Sequence, residues 1–296
     1  MQTELASLTF PRYHKLLTGQ REDVVPVKLE ESGRILGLAL ICLPKVEPSV
    51  APSAHMLSIM VVPDRRRSGI ARELIRRAEQ AAHDNGRETI STWYSTRLPM
   101  RAAFESLLAG SGWNSPLVES MRTAGYAVAV AAEMDRIELA RRSWLPEGAV
   151  IDLWSTVTED ERPEIDCLAE AIDFSNMMHP GKWEKFCHPE LSVVLRLNGH
   201  IAGWVFGEAP TPELCYYAVG YVVPELRRRG ALIGLIRDVC RRQAALYGPA
   251  SVARLSTTPA TPGMPRFMKE RLGRCALWYD EYMSVSKNLT EEPAHA

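Results

Sequence analysis

Two stretches of this sequence combine residue types suited to gripping an anion. One is Val61-Val62-Pro63-Asp64-Arg65-Arg66-Arg67-Ser68-Gly69-Ile70-Ala71, and it reappears as Val222-Val223-Pro224-Glu225-Leu226-Arg227-Arg228-Arg229-Gly230-Ala231-Leu232. In each, an apolar run of strand length stops at a proline, which cannot continue a central strand. Arginines, a glycine and a helical apolar pattern follow. A helix that begins at Ile70 leaves its first backbone N–H groups unpaired and carries about half a positive charge at that end. Gly69 takes away the side chain where a phosphate has to approach the backbone, and Ala71 keeps the next turn narrow. Arg66, Arg67 and Ser68 offer charge-assisted and hydroxyl hydrogen bonds to a pyrophosphate.

The elements that must hold these turns are legible around them. In the first copy, Val25–Glu30 and Ile35–Leu43 read as a hairpin and Met56–Val62 as the strand entering the turn. Ile70, Ala71, Leu74, Ile75, Ala78, Ala81 and Ala82 follow helical spacing. The pattern then predicts a strand at Thr89–Tyr94, a helix at Arg101–Leu108 and a final strand at Tyr126–Met134. In the second copy, Val150–Leu153 begins a strand and Ala169–Trp183 reads as an irregular helical region. Leu191–Leu197 and Ile201–Phe206 form the matching hairpin, and Tyr216–Val223 and Ala231–Tyr247 repeat the strand and helix. Strand, helix and strand follow at Val252–Leu255, Arg266–Leu272 and Ala276–Ser284.

Gly33–Leu40 also corresponds to Gly199–Phe206, so two elements recur in one order at nearly one spacing. That indicates a duplicated domain and not a solenoid of short repeats. The fold class is α/β (α+β), with two domains that each carry a mixed, mostly antiparallel sheet flanked by helices. Asp135–Pro146 is charged and proline-terminated, which puts the expected boundary at 1–140 and 141–296.

A chain of 296 residues, 46% of them hydrophobic, supports two ordinary cores. Cysteines at 42, 167, 187, 215, 240 and 275 form no CxxC pair, which argues against a zinc site or a secreted disulfide framework. No apolar run is long enough to span a membrane and the start does not read as a signal peptide, so a cytoplasmic protein is expected. A net charge of −1 gives no general field for a nucleic acid, so local arginine clusters need local explanations. Metal geometry is poor around His179 and His188, and no phosphate loop of the GxxxxGK[ST] type, GxGxxG turn, HExxH helix or GxSxG elbow occurs.

The pattern Arg66-x-x-Gly69-x-Ala71 after Val61-x-Pro63 resembles the signature of the GNAT N-acetyltransferases. The second copy agrees at Val222, Pro224, Arg227 and Gly230 and departs at Leu232, where the family has glycine or alanine. The resemblance implies a phosphopantetheine thioester as donor: acetyl-CoA or another acyl-CoA, or the pantetheine arm of an acyl carrier protein. Donor contacts are expected at Val61, Val62, Arg66, Arg67, Ser68, Gly69, Ile70 and Ala71, and in the second copy at Val222, Val223, Arg227, Arg228, Arg229 and Gly230. The first copy is the preferred donor site, because a leucine at 232 crowds the phosphates of the second.

The resemblance also implies direct acyl transfer to an amine of a small-molecule acceptor, with natural-product biosynthesis as one setting, and a backbone N–H near Val61 or Val62 facing the oxyanion. His55 is the candidate base, with Glu213 in the comparable place of the second copy. The family's thiolate acid, a tyrosine on the following helix, falls at Leu108 and Lys269 here, which leaves Tyr94 as the candidate. Trp183, Trp204, Tyr216 and Tyr217 make the second half aromatic, suited to an acceptor cleft, a partner surface or a packed core. Neither a metal nor a nucleic-acid or membrane partner is expected. The alternative is a non-catalytic acyl-CoA sensor or scaffold.

Overall fold

The structure is a computed structural model and describes residues 5–18, 21–45, 51–139, 144–170 and 178–290. The strands are β1 (Val24–Glu31), β2 (Arg34–Cys42), β3 (Ser53–Val61), β4 (Thr89–Ser95), β5 (Leu117–Tyr126), β6 (Ala149–Leu153), β7 (Val193–Leu197), β8 (His200–Thr211), β9 (Leu214–Val222), β10 (Val252–Thr257) and β11 (Ala276–Asn288). The helices are α1 (Ile70–Asp84), α2 (Arg101–Ala109), α3 (Ala127–Leu139), α4 (Arg162–Glu170), α5 (Pro224–Arg227), α6 (Ala231–Tyr247) and α7 (Met264–Glu270).

The chain divides into two compact units, one of residues 1–119 with 281–296 and the other of residues 120–280. This differs from the expected break near residue 140. The crossings lie inside strands β5 and β11, because residues 282–288 pair antiparallel with β4, from Tyr282↔Ser95 to Asn288↔Thr89. β5 instead pairs with β10, from Val252↔Tyr126 to Thr257↔Met121. A linear reading finds the charged segment but not these long-range pairings. Residues 140–143 of that segment and 171–177 of the expected helical region lie outside the described residues.

In the first unit the strands run β1-β2-β3-β4 and then the end of β11. Helix α1 buries Ile70, Leu74, Ile75, Ala78 and Ala82 against Leu36, Ala39, Ile41, Met56 and Ile90. Full burial of side chains such as Leu74 and Ile75 contributes roughly 1.5–3 kcal/mol each. Gly37 makes the approach possible, since a β-carbon there would stand 2.8 Å from Leu74 Cδ1 and 2.9 Å from Met60 O. The opposite face is covered by the N-terminal segment, where Leu5 and Leu8 pack on Ile35 and Leu38.

The second unit runs from the beginning of β11 through β5, β10, β9, β8 and β7 to β6. Trp154, Trp204, Phe206 and Tyr221 form its aromatic core, so Trp204 is a packed residue and lines no cleft. Trp183 packs against that core, and Tyr217 is buried with its hydroxyl on Gln243 Oε1. Tyr126–Met134, expected as a strand, is the end of β5 followed by helix α3. Alanines and valines alternate there and mimic a strand. The buried positions Ala127, Val130, Ala131, Met134 and Ile137 nonetheless follow helical spacing.

The duplication extends to the irregularities. The β1–β2 ladder skips Leu36 and the β7–β8 ladder skips Ala202, while β2–β3 skips Leu57 and β8–β9 skips Ala218. Bulges re-aim a strand. Here both units turn the same strand in the same place.

Candidate functional site

Strands β3 and β4 begin as a parallel pair, Ser53↔Thr89 to His55↔Ser91, and their ladder ends there. Beyond Met56, whose carbonyl accepts from Thr92 Oγ1 at 2.9 Å, the strands open around a cavity of about 1010 Å³. Every residue lining it belongs to the first unit. Val61, Arg66, Arg67, Gly69, Ile70 and Ala71 sit at its mouth, and Leu57, Ile59, Trp93 and Tyr94 form its walls.

The mouth is shaped by two left-handed residues. Gly69, the N-cap of α1, has φ 85°, and Arg67 has φ 64° although it carries a β-carbon. Successive N–H groups in such a turn form an anion-binding concavity. No side chain caps α1, so its first N–H groups are unspent by any cap. A β-carbon at Gly69 would meet nothing within 4 Å. The glycine is therefore required by backbone conformation, and the space above it is open.

The arginines divide by partner. Arg65 pairs with Glu31 and Arg34 with Asp64, so these charges are already compensated. Arg66 donates from Nε to Val61 O at 3.4 Å, and neither it, Arg67 nor Arg72 has a carboxylate partner among the described residues. Arg72 lines the cavity from the first turn of α1, where a cation opposes the helix dipole unless an anion sits between them. It lies one residue past the signature, and that unfavourable charge was its only mark in the sequence. Ser68 departs from expectation: its hydroxyl donates to Arg65 O at 2.6 Å and closes the turn, and it does not line the cavity.

Val62 also turns away, since its N–H donates to Leu36 O at 3.0 Å. Bonded and non-bonded pairs alternate in an antiparallel ladder, so Val61↔Gly37 and Ile59↔Ala39 are non-bonded pairs. Their N–H groups on β3 point to the β4 side, where the ladder has opened. Of the two residues expected to face the oxyanion, only Val61 presents its N–H to the gap.

His55 lies just before the opening and does not line the cavity. Its Nδ1 lies 2.7 Å from Ser91 Oγ, its ring lies 4.6 Å from that of Trp93 at a tilt of 47°, Trp93 does line the cavity, and burial lowers the His55 pKa. Tyr94 lines the cavity, but its hydroxyl donates to Glu105 Oε1 at 2.7 Å, and burial together with that carboxylate pushes its pKa up. Leu108 is buried core. Glu213 is exposed, with its carboxyl held down by a hydrogen bond from Thr211.

The second copy of the motif keeps some of these features. Arg227 donates from Nε to Val222 O at 3.1 Å, as Arg66 does to Val61, and Gly230 has φ 84°. Its mouth is filled. A β-carbon on Gly230 would be 2.5 Å from Trp144 Cε3 and Cζ3, and Leu232 Cδ1 packs 2.7 Å from the β-carbon position of Gly220 on β9. Arg228 is helical (φ −68°, ψ −21°), so the left-handed turn of Arg67 has no counterpart there. Of the expected second-copy contacts Val222, Val223, Arg227, Arg228, Arg229 and Gly230, the glycine at the helix start thus faces a tryptophan ring and not open space. The sequence named Leu232 as an obstacle but carried no sign of Trp144, which is remote in the chain.

Residues 3–108 match the Acetyltransferase (GNAT) family. That match lies within the first unit. The tandem GNAT fold extends over the chain, as the solved structures show. A tandem GNAT protein from the clavulanic acid biosynthesis pathway, solved without AcCoA, is 16% identical, with 95% of this chain and 88% of that one covered at a TM-score of 0.56. A GCN5-related N-acetyltransferase from Sphaerobacter thermophilus is 17% identical, with coverage of 94% and 86% and a TM-score of 0.59. At these identities the likeness is one of fold. No curated protein matches the sequence. Among the described residues, no cluster of three or more His, Cys, Asp or Glu can hold a metal ion, and no helix is long and apolar enough to cross a membrane.

Proposed function

We propose that the chain is a GNAT-type N-acyltransferase that moves an acetyl or other small acyl group from coenzyme A to the amine of a small molecule, with the first unit as its donor site. The observation that carries this reading is the continuity of the uncapped α1 mouth with the gap between β3 and β4 in one cavity. Pyrophosphate at residues 66–71 would meet the helix N-terminus and the unpaired Arg66, Arg67 and Arg72, and the pantetheine arm would lie along β3.

In direct transfer the amine nitrogen attacks the thioester carbonyl, a C–N bond forms, the C–S bond breaks, and the thiolate leaves with a proton. The N–H of Val61 faces the gap and can stabilise the oxyanion. A lysine-like amine with a reference pKa near 10.4 sits roughly 4–5 kcal/mol from its neutral form at pH 7. A base acting through water offsets that cost. His55 is the candidate, kept neutral by burial and reaching the cavity only through Trp93. Tyr94 is a weaker candidate acid than its position suggests, because its hydroxyl is held in a hydrogen bond to Glu105 and burial beside that carboxylate makes it reluctant to release its proton.

Calorimetric titration with acetyl-CoA tests the donor site, with thiol release in the presence of amines testing transfer. Binding lost in Gly69→Glu supports the first unit as donor site, whereas binding unchanged in that variant overturns it. Tight binding without thiol release from any amine would favour the sensor reading. An acyl carrier protein remains the second donor proposal. Its mark would be transfer from the carrier that falls on mutation of Arg66 or Arg67 while turnover of a free pantetheine thioester persists.

A further inference from the structure

The cavity has a second basic wall that the donor reading does not use. Phe10, Pro11 and Arg12 line it from the N-terminal segment. That segment packs through Leu5 and Leu8 on Ile35 and Leu38, the face of the sheet opposite α1. Neighbouring strand positions point to opposite faces, so a ligand threaded through the gap between β3 and β4 has the α1 mouth on one side of the sheet and Arg12 on the other.

The Arg12 guanidinium rests against two aromatic rings. Its Cζ lies 4.6 Å from the Tyr13 ring centroid and 5.3 Å from that of Phe10, an arrangement that holds a cation by its aromatic neighbours. It has no carboxylate partner among the described residues. The same cavity is lined by Phe10 (39%), Trp93 (40%) and Met100 (52%), which stay exposed although they are large hydrophobic side chains. A planar, always charged fork beside exposed apolar surface recognises a carboxylate attached to an apolar or aromatic body.

We propose that Arg12 is a specificity-determining residue for the acceptor, which is an amine on an aromatic or apolar body that also bears a carboxylate. This rests on the donor reading for the direction of transfer, but the ligand chemistry follows from Arg12 and its neighbours alone. Arg12 acts by holding the acceptor's carboxylate so that the amine faces the gap beside Val61.

The test uses two matched pairs of probes, 4-aminobenzoate with 4-aminobenzamide and phenylalanine with phenylalaninamide, on the full chain. Binding is measured by calorimetry with and without saturating coenzyme A, and acetyl transfer is measured as kcat/KM. The expected result is at least a ten-fold preference of the wild type for the carboxylate member of one pair. That preference should collapse toward unity in Arg12→Gln and return in part in Arg12→Lys, with melting temperatures confirming that both variants fold. Equal handling of carboxylate and amide by the wild type, or equal loss of both in Arg12→Gln, overturns the proposal. Coenzyme A affinity on the same samples reads the donor mouth separately, so a failed donor site and a failed carboxylate site give different results.

Discussion

The ring of Trp144 leaves no room for a β-carbon on Gly230, with Cε3 and Cζ3 each 2.5 Å from that position. Trp144 is 5% exposed, its N–H donates to Glu138 Oε1 at 2.9 Å, and Glu138 pairs with Arg237 on α6. The tryptophan is thus fixed in the second mouth by a backbone hydrogen bond and an ion pair. Coenzyme A should bind with a stoichiometry of one per chain. Gly230→Ala should destabilise the fold by about 3 kcal/mol, from left-handed strain and overpacking together, yet leave coenzyme A affinity intact. Chemical denaturation and calorimetry measure both, and a stoichiometry of two would contradict this account.

Arg67 and Gly69 both take left-handed backbone, but only one of them is a glycine. Arg67→Gly should relieve strain of about 1–2 kcal/mol against a glycine entropy cost of about 0.5–1 kcal/mol. A slight gain in stability is expected, with weaker coenzyme A binding and a shallower dependence of that binding on salt. A loss of stability with unchanged affinity would show that the Arg67 side chain serves the fold and not the ligand.

Glu161 accepts from Arg196 Nε at 2.7 Å and Nη2 at 3.0 Å, and Asp152 accepts from Nη1 at 2.9 Å. The guanidinium holds the Glu161 carboxyl down to about 2. A carboxylate whose pKa is lower in the folded than in the unfolded chain contributes stability that is fully present above the unfolded value near 4.3 and is lost as pH falls toward the folded value. Urea denaturation from pH 6 to pH 3 should show this loss. In Glu161→Gln the slope over that window should flatten, and an unchanged slope would remove Glu161 from the account.

His55 has the opposite charge chemistry but the same sign. Burial lowers its pKa, so the unfolded chain binds the proton more readily. Stability from this residue is present above pH ~6.5 and lost as pH falls through the folded value. If His55 is also the base, the acid limb of kcat/KM lies below pH ~6.5 and disappears in His55→Ala. An acid limb retained in that variant assigns the titration to another group.

Cys167 is exposed, whereas Cys215 and Cys240 are buried and their thiols are pushed up to about 11 and about 12 by desolvation. Reactivity follows the accessible thiolate. In the native protein an aromatic disulfide reagent should modify Cys167 rapidly and reach Cys215 and Cys240 only after denaturation. Fast native reaction at Cys240 would mean that the packing between α6 and β9 opens readily.

The sequence alone determined the duplication, the strand-to-helix turns at residues 61–71 and 222–232, and most elements around them. These depend on local rules: proline stops a strand, glycine permits a left-handed turn, and apolar spacing sets one helix face. Tertiary structure decided which turn is open. Both copies carry the arginines and the glycine, and beside Leu232, which the sequence shows, the difference lies in the turn at Arg67 and in Trp144, a residue far from Gly230 in sequence whose ring fills the mouth. It also decided where the units divide, because β11 leaves the second unit to pair with β4 of the first. Arg12 gained meaning only when the N-terminal segment folded over the sheet face opposite α1. Local spacing constrains the neighbours of a residue along the chain, whereas occupancy of a site depends on side chains brought from elsewhere.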